Sequence, residues 1–163
     1  MFVLSHCPTD SLLIHRRIVW LFPPKCTSMV VDELVALHRA VFESESMTVA
    51  WRTRQHADYQ PELDLVIEDS AGQLAAFCIG WFSPRGIEGR PSGQIEPMGV
   101  RADLRAHGLG RAILSEAVRR LYQRGAEHVV VETDNYRNAA FALYEAVGFR
   151  VIRNVLVFRK DYT

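Results

Sequence analysis

The chain has 163 residues, of which 48% are hydrophobic and 23% charged, the size and composition of one globular domain with a single buried core. Its formal net charge is zero, which argues against a broadly basic surface for nucleic acid. Three cysteines, odd in number and far apart, favour free thiols in a reducing cytoplasm over disulfides or a zinc site. No apolar run is long enough to span a membrane, and the N-terminus lacks the pattern of a secretory signal. We therefore expect a single cytoplasmic domain over residues 1–163, without metal, membrane or nucleic-acid partners.

The first half of the chain predicts two helices and three strands. The first helix begins at Ser28, a residue type suited to cap a helix, and hydrophobic residues then recur at helical spacing. The predicted elements are a strand at 12–22, a helix at 28–43, a short helix at 48–56, and strands at 63–68 and 73–82. A loop rich in proline and glycine follows at 83–93.

The second half alternates strands and helices. A strand begins at Gln94 and contains Pro97, which cannot donate a ladder hydrogen bond and so indicates a bulge or a local break in pairing. Apolar residues at every fourth position from Leu109 predict a long helix that ends at Gly125. A strand at 128–133, a helix at 138–147 and a strand at 149–159 complete the chain. This order predicts an α/β fold, with a mixed sheet and helices on both faces.

A glycine turn joins the strand of Pro97 to the long helix. Gly108 and Gly110 stand at the helix start, and Arg105 and Arg111 flank them. The first N–H groups of a helix have no partner inside it, and glycines let an anion approach them. The pattern predicts a phosphate or pyrophosphate site; the alternative is a helix start whose glycines only allow close packing. A Walker A loop would need Lys where Arg111 stands, and a dinucleotide fingerprint would need Gly or Ala in place of Ile113.

Two motifs resemble the GNAT superfamily of N-acyltransferases. Arg105-x-x-Gly108-x-Gly110 resembles its acyl-CoA pyrophosphate loop, and residues 138–149 (NAAFALYEAVGF) are similar to its downstream motif. The resemblance covers about residues 28–152 and implies a central mixed sheet whose middle strands splay apart. Residues 1–27 match poorly, and the C-terminal region has room for one long strand where many members have two. The closing strand is therefore absent, or it comes from the N-terminal segment or from a partner chain in a homodimer.

The resemblance implies transfer of an acetyl group from acetyl-CoA to a primary amine by direct attack in a ternary complex, without a metal. Glu96 would be the general base, on the same pleat face as Met98 and Val100, and Tyr144 would protonate the leaving thiolate. The residues implied to bind the cofactor are Met98, Gly99, Val100, Arg105, Ala106, His107, Gly108, Leu109, Gly110, Arg111, Ala112, Asn138, Ala140 and Tyr144. The acceptor would be a small molecule, a peptide or a protein. The alternative function is a non-catalytic acyl-CoA sensor or interaction domain with the same fold.

Each site residue also has a purely structural interpretation. Tyr144 is also consistent with a core aromatic residue, Glu96 with a solvated charge, and Asn138 with the N-cap of its helix. We expect His107 to be exposed rather than catalytic. Four apolar side chains either line an acceptor pocket or belong to the core: Phe42, Met47, Trp51 and Trp81. Arg101 and Asp103 are expected to form a solvated turn, and Cys78 to be an inert buried thiol.

Overall fold

A mixed sheet of seven strands organises the residues that the computed structural model describes, which are 2–6, 19–20, 28–45, 59–134 and 136–156. The strands are β1 (Phe2–His6), β2 (Val19–Trp20), β3 (Asp64–Glu68), β4 (Leu74–Ser83), β5 (Ser92–Val100), β6 (His128–Thr133) and β7 (Arg150–Asn154). The helices of this part are α1 (Ser28–Phe42), α2 (Leu109–Gln123) and α3 (Asn138–Ala146). In space the strands follow the order β2-β3-β4-β5-β6-β1-β7. The predicted mixed sheet is confirmed, whereas the short helix predicted at 48–56 lies outside the described residues.

Helices cover both faces of the sheet, as predicted. On one face, the α2 stripe of Ile113, Ala117 and Leu121 is fully buried. On the other face, α1 packs Leu34 and Leu37 against side chains of β3 and β4. Burying a side chain of this size contributes roughly 1.5–3 kcal/mol, so these stripes fix which face each helix covers. None of the described helices combines the length and the hydrophobicity that a membrane crossing would require.

The turns at the ends of the helices follow the sequence closely. α2 ends at Gln123, and Gly125 adopts a φ of +95° just beyond it, as the predicted glycine cap requires. α1 ends at Phe42, where Glu43 takes a φ of +50°.

The middle strands splay apart, as predicted. β5 and β6 are the only parallel neighbours among the described strands, and they pair over four residues, from Ser92 with His128 to Ile95 with Val131. Beyond Ile95, β5 continues to Val100 beside β4 alone. A gap therefore opens along the second half of β5.

The strand beside β6 comes from the N-terminus of the chain. β1 lies antiparallel between β6 and β7, with Leu4 fully buried in the core. The sequence left open whether the closing strand is absent or comes from the N-terminal segment or a partner chain, and the structure shows that the N-terminal segment supplies it. Of the strand predicted at 12–22, the structure describes Val19–Trp20, which form β2. Residues 12–18 and 21–22 lie outside the described part.

Candidate active site

The glycine turn presents a row of backbone donors at the start of α2. Ala106 and Gly108 have φ angles of +63° and +80°, and the first helical hydrogen bond runs from the Ala112 N–H to the Gly108 carbonyl at 3.0 Å. The amides of Ala106, Gly108, Leu109, Gly110 and Arg111 donate no hydrogen bond to any residue of the described segments. Because the helix dipole adds partial positive charge here, the turn is suited to bind an anion.

The two glycines of the turn have different roles. A Cβ added to Gly108 would meet nothing within 4 Å, so only its positive φ requires glycine. A Cβ on Gly110 would lie 3.2 Å from Leu143 and 3.5 Å from Val100, so this glycine brings α2 close to α3 and β5. The anion-site interpretation and the close-packing interpretation therefore each fit one of the two positions.

Basic side chains surround the turn. Arg105 donates from Nε to the carbonyl of Val100 at 3.3 Å, and Nδ1 of His107 lies 2.7 Å from the carbonyl of Arg105. His107 and Arg111 are exposed, as expected for His107. The arrangement leaves cationic groups beside the open amides.

The free edge of β5 lies beside this turn. The Arg101 amide donates to the Ala75 carbonyl of β4 at 2.8 Å, and Gly99 pairs with Phe77 of the same strand. Because successive residues of a strand direct their backbone groups to opposite sides, those of Met98 and Val100 point into the gap. The backbone of Gly99, by contrast, is directed toward β4. Met98 and Val100 thus present backbone groups that no neighbouring strand pairs with, and the Val100 carbonyl accepts from Arg105 instead.

A bulge interrupts β5 where Pro97 predicts it. Gly80 pairs with Ile95 and Cys78 with Met98, so β5 has one residue more than β4 between these pairs. The peptide bond between Glu96 and Pro97 is cis.

The bulge overturns the predicted orientation of Glu96. Gly93 and Ile95 face α2, since a Cβ on Gly93 would meet Leu121 and Ile95 packs in the same cluster. Glu96 points to the opposite side, where Gln94 Nε2 donates to its carboxylate at 3.0 Å. Met98 returns to the α2 face. The extra residue shifts the alternation, so Glu96 does not share a pleat face with Met98 and Val100.

Tyr144 belongs to the core cluster on the α2 side of the sheet, against which Met98 of β5 also packs. The Tyr144 side chain is buried within the main core and meets Phe149 edge to face at 5.8 Å. The pKa of its phenol is raised to about 12, mainly by burial and to a smaller extent by Cys78 and Glu96, while the Arg137 cation opposes the rise. The Tyr144 hydroxyl donates no hydrogen bond to another residue of the described segments. The two residues predicted to be catalytic therefore lie close enough to interact electrostatically.

The start of α3 differs from the prediction in one respect. Arg137 is the N-cap, because its carbonyl accepts the first helical bond from Phe141, and Asn138 is the first residue of the helix. The Arg137 guanidinium lies 5.6 Å from the centre of the Phe42 ring and forms an ion pair with Asp134. Asn138 is exposed and Ala140 packs at the edge of the core. The sequence favoured Asn138 as the cap on residue type, but the chain turns one residue earlier.

Arg101 does more than close a solvated turn. It forms ion pairs of 2.8 Å with both Asp103 and Asp69, and so joins the end of β5 to the β3–β4 turn. The hydrogen bond from Arg101 is the main reason that the pKa of Asp69 lies below its usual value. The pairing of Arg101 with Asp69 was not predictable from local sequence patterns, because these two residues are 32 positions apart along the chain.

The other predicted residues are placed as follows. Cys78 is fully buried, which raises its thiol pKa, and no group of three or more potential metal ligands occurs in the segments described. Phe42 and Trp81 are partly buried, whereas Met47 and Trp51 lie outside the described residues. No sequence pattern indicated Tyr59 and Asp64, which contact each other near Trp81.

The splayed middle strands are the feature of the fold that the resemblance to acyl-CoA-dependent transferases implied, and a helix start with open amides lies beside them. The chain belongs to the acetyltransferase (GNAT) family, whose sequence profile matches residues 28–149.

The chain is similar to longer curated relatives. It is 31% identical over 128 residues to a mycothiol acetyltransferase of Propionibacterium freudenreichii, a match that covers 75% of this chain and 40% of the relative. A mycothiol acetyltransferase of Thermobispora bispora is 28% identical over 124 residues, covering 71% and 41% of the two chains. The chain thus spans about two fifths of the length of these relatives.

Solved structures share the fold. A GCN5-related N-acetyltransferase from Sphaerobacter thermophilus superposes with a TM-score of 0.71 and 21% identity, covering 93% of this chain and 48% of that one. The ribosomal-protein-S18-alanine N-acetyltransferase from Escherichia coli gives a TM-score of 0.62 and 22% identity, covering 76% and 74%.

Proposed function

We propose that the chain is an N-acetyltransferase that moves an acetyl group from acetyl-CoA to a primary amine in a ternary complex. The observation that carries this proposal is the row of unpaired amides at the start of α2, next to the unpaired edge of β5. Membership of the acetyltransferase family supports it. The proposal includes a cytoplasmic location, for which the buried free thiol of Cys78 is the supporting feature.

The donors of the turn and of the strand fit the two polar parts of acetyl-CoA. The open amides of Ala106 and of residues 108–111 would bind the pyrophosphate, with Arg105 and Arg111 adding positive charge. The Ala112 amide, predicted to join them, already donates to the Gly108 carbonyl. The backbone groups of Met98 and Val100 would pair with the amides of the pantetheine arm, as a neighbouring strand would. Asn138 and Ala140, at the start of α3, would contact the arm from the other wall.

The reaction requires one base and one acid. Acetyl-CoA supplies an acyl thioester, and Glu96 takes the proton that leaves the attacking amine, directly or through water. The Met98 amide stabilises the developing oxyanion, and Tyr144 donates a proton to the departing thiolate. Because the phenol of Tyr144 keeps its proton up to a pKa of about 12, it is in the donor form at neutral pH.

The acceptor class is tested with a panel of amines. Relatives and structural neighbours are named for mycothiol, for aminoglycosides and for the alanine of a ribosomal protein, so the panel contains deacetylated mycothiol, an aminoglycoside and an alanine peptide. Transfer of radiolabelled acetyl from acetyl-CoA to one of them is the expected result. Glu96→Gln and Tyr144→Phe should lower turnover and leave the affinity for acetyl-CoA little changed.

A sensor without catalysis is the alternative function. The exposure of Glu96 on the face opposite to Met98 favours it, because the base is then not held beside the oxyanion donor. Tight binding of acetyl-CoA with no transfer to any amine of the panel would support the sensor. Equal turnover in the wild type and both variants would remove the catalytic assignment.

A further inference from the structure

The bulge of β5 leaves the backbone of Glu96 without a partner strand residue. Trp81 pairs with Gln94 and Cys78 with Met98, but neither Glu96 nor Pro97 has a Cα partner on β4. The indole Nε1 of Trp81 donates to the Glu96 carbonyl at 2.6 Å. A side chain thus satisfies the carbonyl that the interrupted ladder leaves open.

The indole is itself held in place from the core. Tyr59 meets it edge to face, with the ring centres 6.3 Å apart. The Tyr59 hydroxyl donates to a carboxylate oxygen of Asp64 at 2.7 Å, and Asp64 is only 3% exposed. A continuous series of contacts therefore leads from buried Asp64 through Tyr59 and Trp81 to the backbone of Glu96.

The carboxylate of Glu96 has little else to orient it. It accepts one hydrogen bond, from Gln94, and forms no ion pair with a residue in the described segments. The side chain is exposed, so packing does not select its rotamer. The direction of the carboxylate depends on the backbone of the bulge, and a displacement of about 1 Å in a reacting group can lower a rate by about a hundredfold.

We propose that Trp81 is a positioning residue, which fixes the bulge and thereby aims Glu96 at the acceptor amine, and that Tyr59 and Asp64 hold Trp81 for this purpose. The proposal rests on the proposed role of Glu96 as the base. It assigns a role to Trp81 of β4, to Asp64 at the start of β3 and to Tyr59 in the segment before β3, none of which belongs to a sequence motif.

The test is a double-mutant cycle between Trp81→Phe and Glu96→Gln. Trp81→Phe keeps an aromatic ring and removes the N–H, so we expect kcat to fall by about ten- to a hundredfold while the Kd for acetyl-CoA is unchanged. In the Glu96→Gln background the same change should lower kcat by less than about threefold, because the carboxylate that Trp81 aims is gone. Combined with Tyr144→Phe, whose role is independent, the two reductions should multiply.

Tyr59→Phe is a milder variant for the case in which Trp81→Phe melts at a much lower temperature. It removes one hydroxyl, and we expect a smaller fall in kcat with the same dependence on Glu96. The proposal is overturned if neither variant changes kcat, or if their effects are as large in Glu96→Gln as in the wild type. If Glu96→Gln alone leaves turnover unchanged, the base assignment in the proposed function fails instead.

Discussion

We expect Gly108→Ala to lower both the stability of the protein and its affinity for acetyl-CoA, and a control variant can separate the two effects. The φ of Gly108 is +80°, and an added Cβ would meet nothing within 4 Å. The substitution therefore introduces no clash, and its cost is that of an L-residue in the left-handed region, about 1–2 kcal/mol. In a domain of this size such a loss lowers the Tm by roughly 2–4 °C per kcal/mol.

Gly125 provides a matched control at the other end of the same helix. Its φ is +95°, and a Cβ there also meets nothing within 4 Å. Gly125→Ala should therefore destabilise the protein by about as much as Gly108→Ala, about 1–2 kcal/mol, through the same backbone strain. Of the two glycines, only Gly108 adjoins the open amides of Ala106 and of residues 109–111, so the affinity for acetyl-CoA should distinguish two variants that have similar stability.

The assay is calorimetric titration with acetyl-CoA, beside thermal denaturation of both variants. A hydrogen bond to a charged group contributes about 1.5–3 kcal/mol, and each 1.4 kcal/mol is about a tenfold change in affinity. Gly108→Ala, which turns at least one amide away from the pyrophosphate, should raise the Kd about tenfold or more, and Gly125→Ala should leave it unchanged. Equal Kd values in two variants with similar losses of Tm would refute the assignment of the turn as the pyrophosphate site.

Three further predictions concern stability. The pKa of Tyr144 rises from 10.0 to about 12 on folding, so the phenol of the unfolded chain loses its proton at lower pH than that of the folded chain. The free energy of unfolding should therefore fall by up to about 3 kcal/mol between pH 10 and pH 12. Urea titrations should show a smaller alkaline loss of stability in Tyr144→Phe than in the wild type. Gly99→Ala places a Cβ 2.6 Å from Val41 and 2.9 Å from Phe77, so thermal denaturation should show a loss of about 1–3 kcal/mol, and an unchanged Tm would contradict this packing. Folding lowers the pKa of Asp69, so its ion pair with Arg101 stabilises the folded protein above pH 3.8, the usual pKa of this group. This stabilisation is lost as the pH falls through the lowered pKa. Asp69→Asn should therefore be less stable than the wild type near neutral pH, and the difference in unfolding free energy should shrink in acid.

Local patterns predicted the parts of the fold that depend on neighbouring residues. The spacing of apolar residues from Leu109 determined the buried stripe of α2, and Gly125 marked its end, because both signals act within one or two turns. Pro97 marked the bulge for a similar reason, since a residue without an N–H cannot continue a ladder.

The consequences of that bulge were not predictable from the same residues. The usual alternation places Glu96 with Met98, whereas one extra residue puts the two on opposite faces. Where the extra residue falls depends on the register with β4, and the register depends on packing against α2 on one face and α1 on the other. The position of Glu96 relative to Tyr144 is therefore a tertiary property, as are the distant partnerships of Trp81 and Arg101.

The N-terminal strand shows the same limit at the scale of the topology. β1 pairs with β6 and β7, which lie more than 120 residues later in the chain. Contacts between residues so far apart in sequence cannot be predicted from patterns among neighbouring residues. Its place has a physical logic, because β6 and β7 without it would each present an open edge, and the fully buried Leu4 would leave a cavity. β1 belongs to the half of the sheet that carries α3, and β2 to the half that contains β5. These halves share only four residue pairs, between β5 and β6, so strands from the first twenty residues belong to both of the half-sheets that flank the gap in which we place acetyl-CoA.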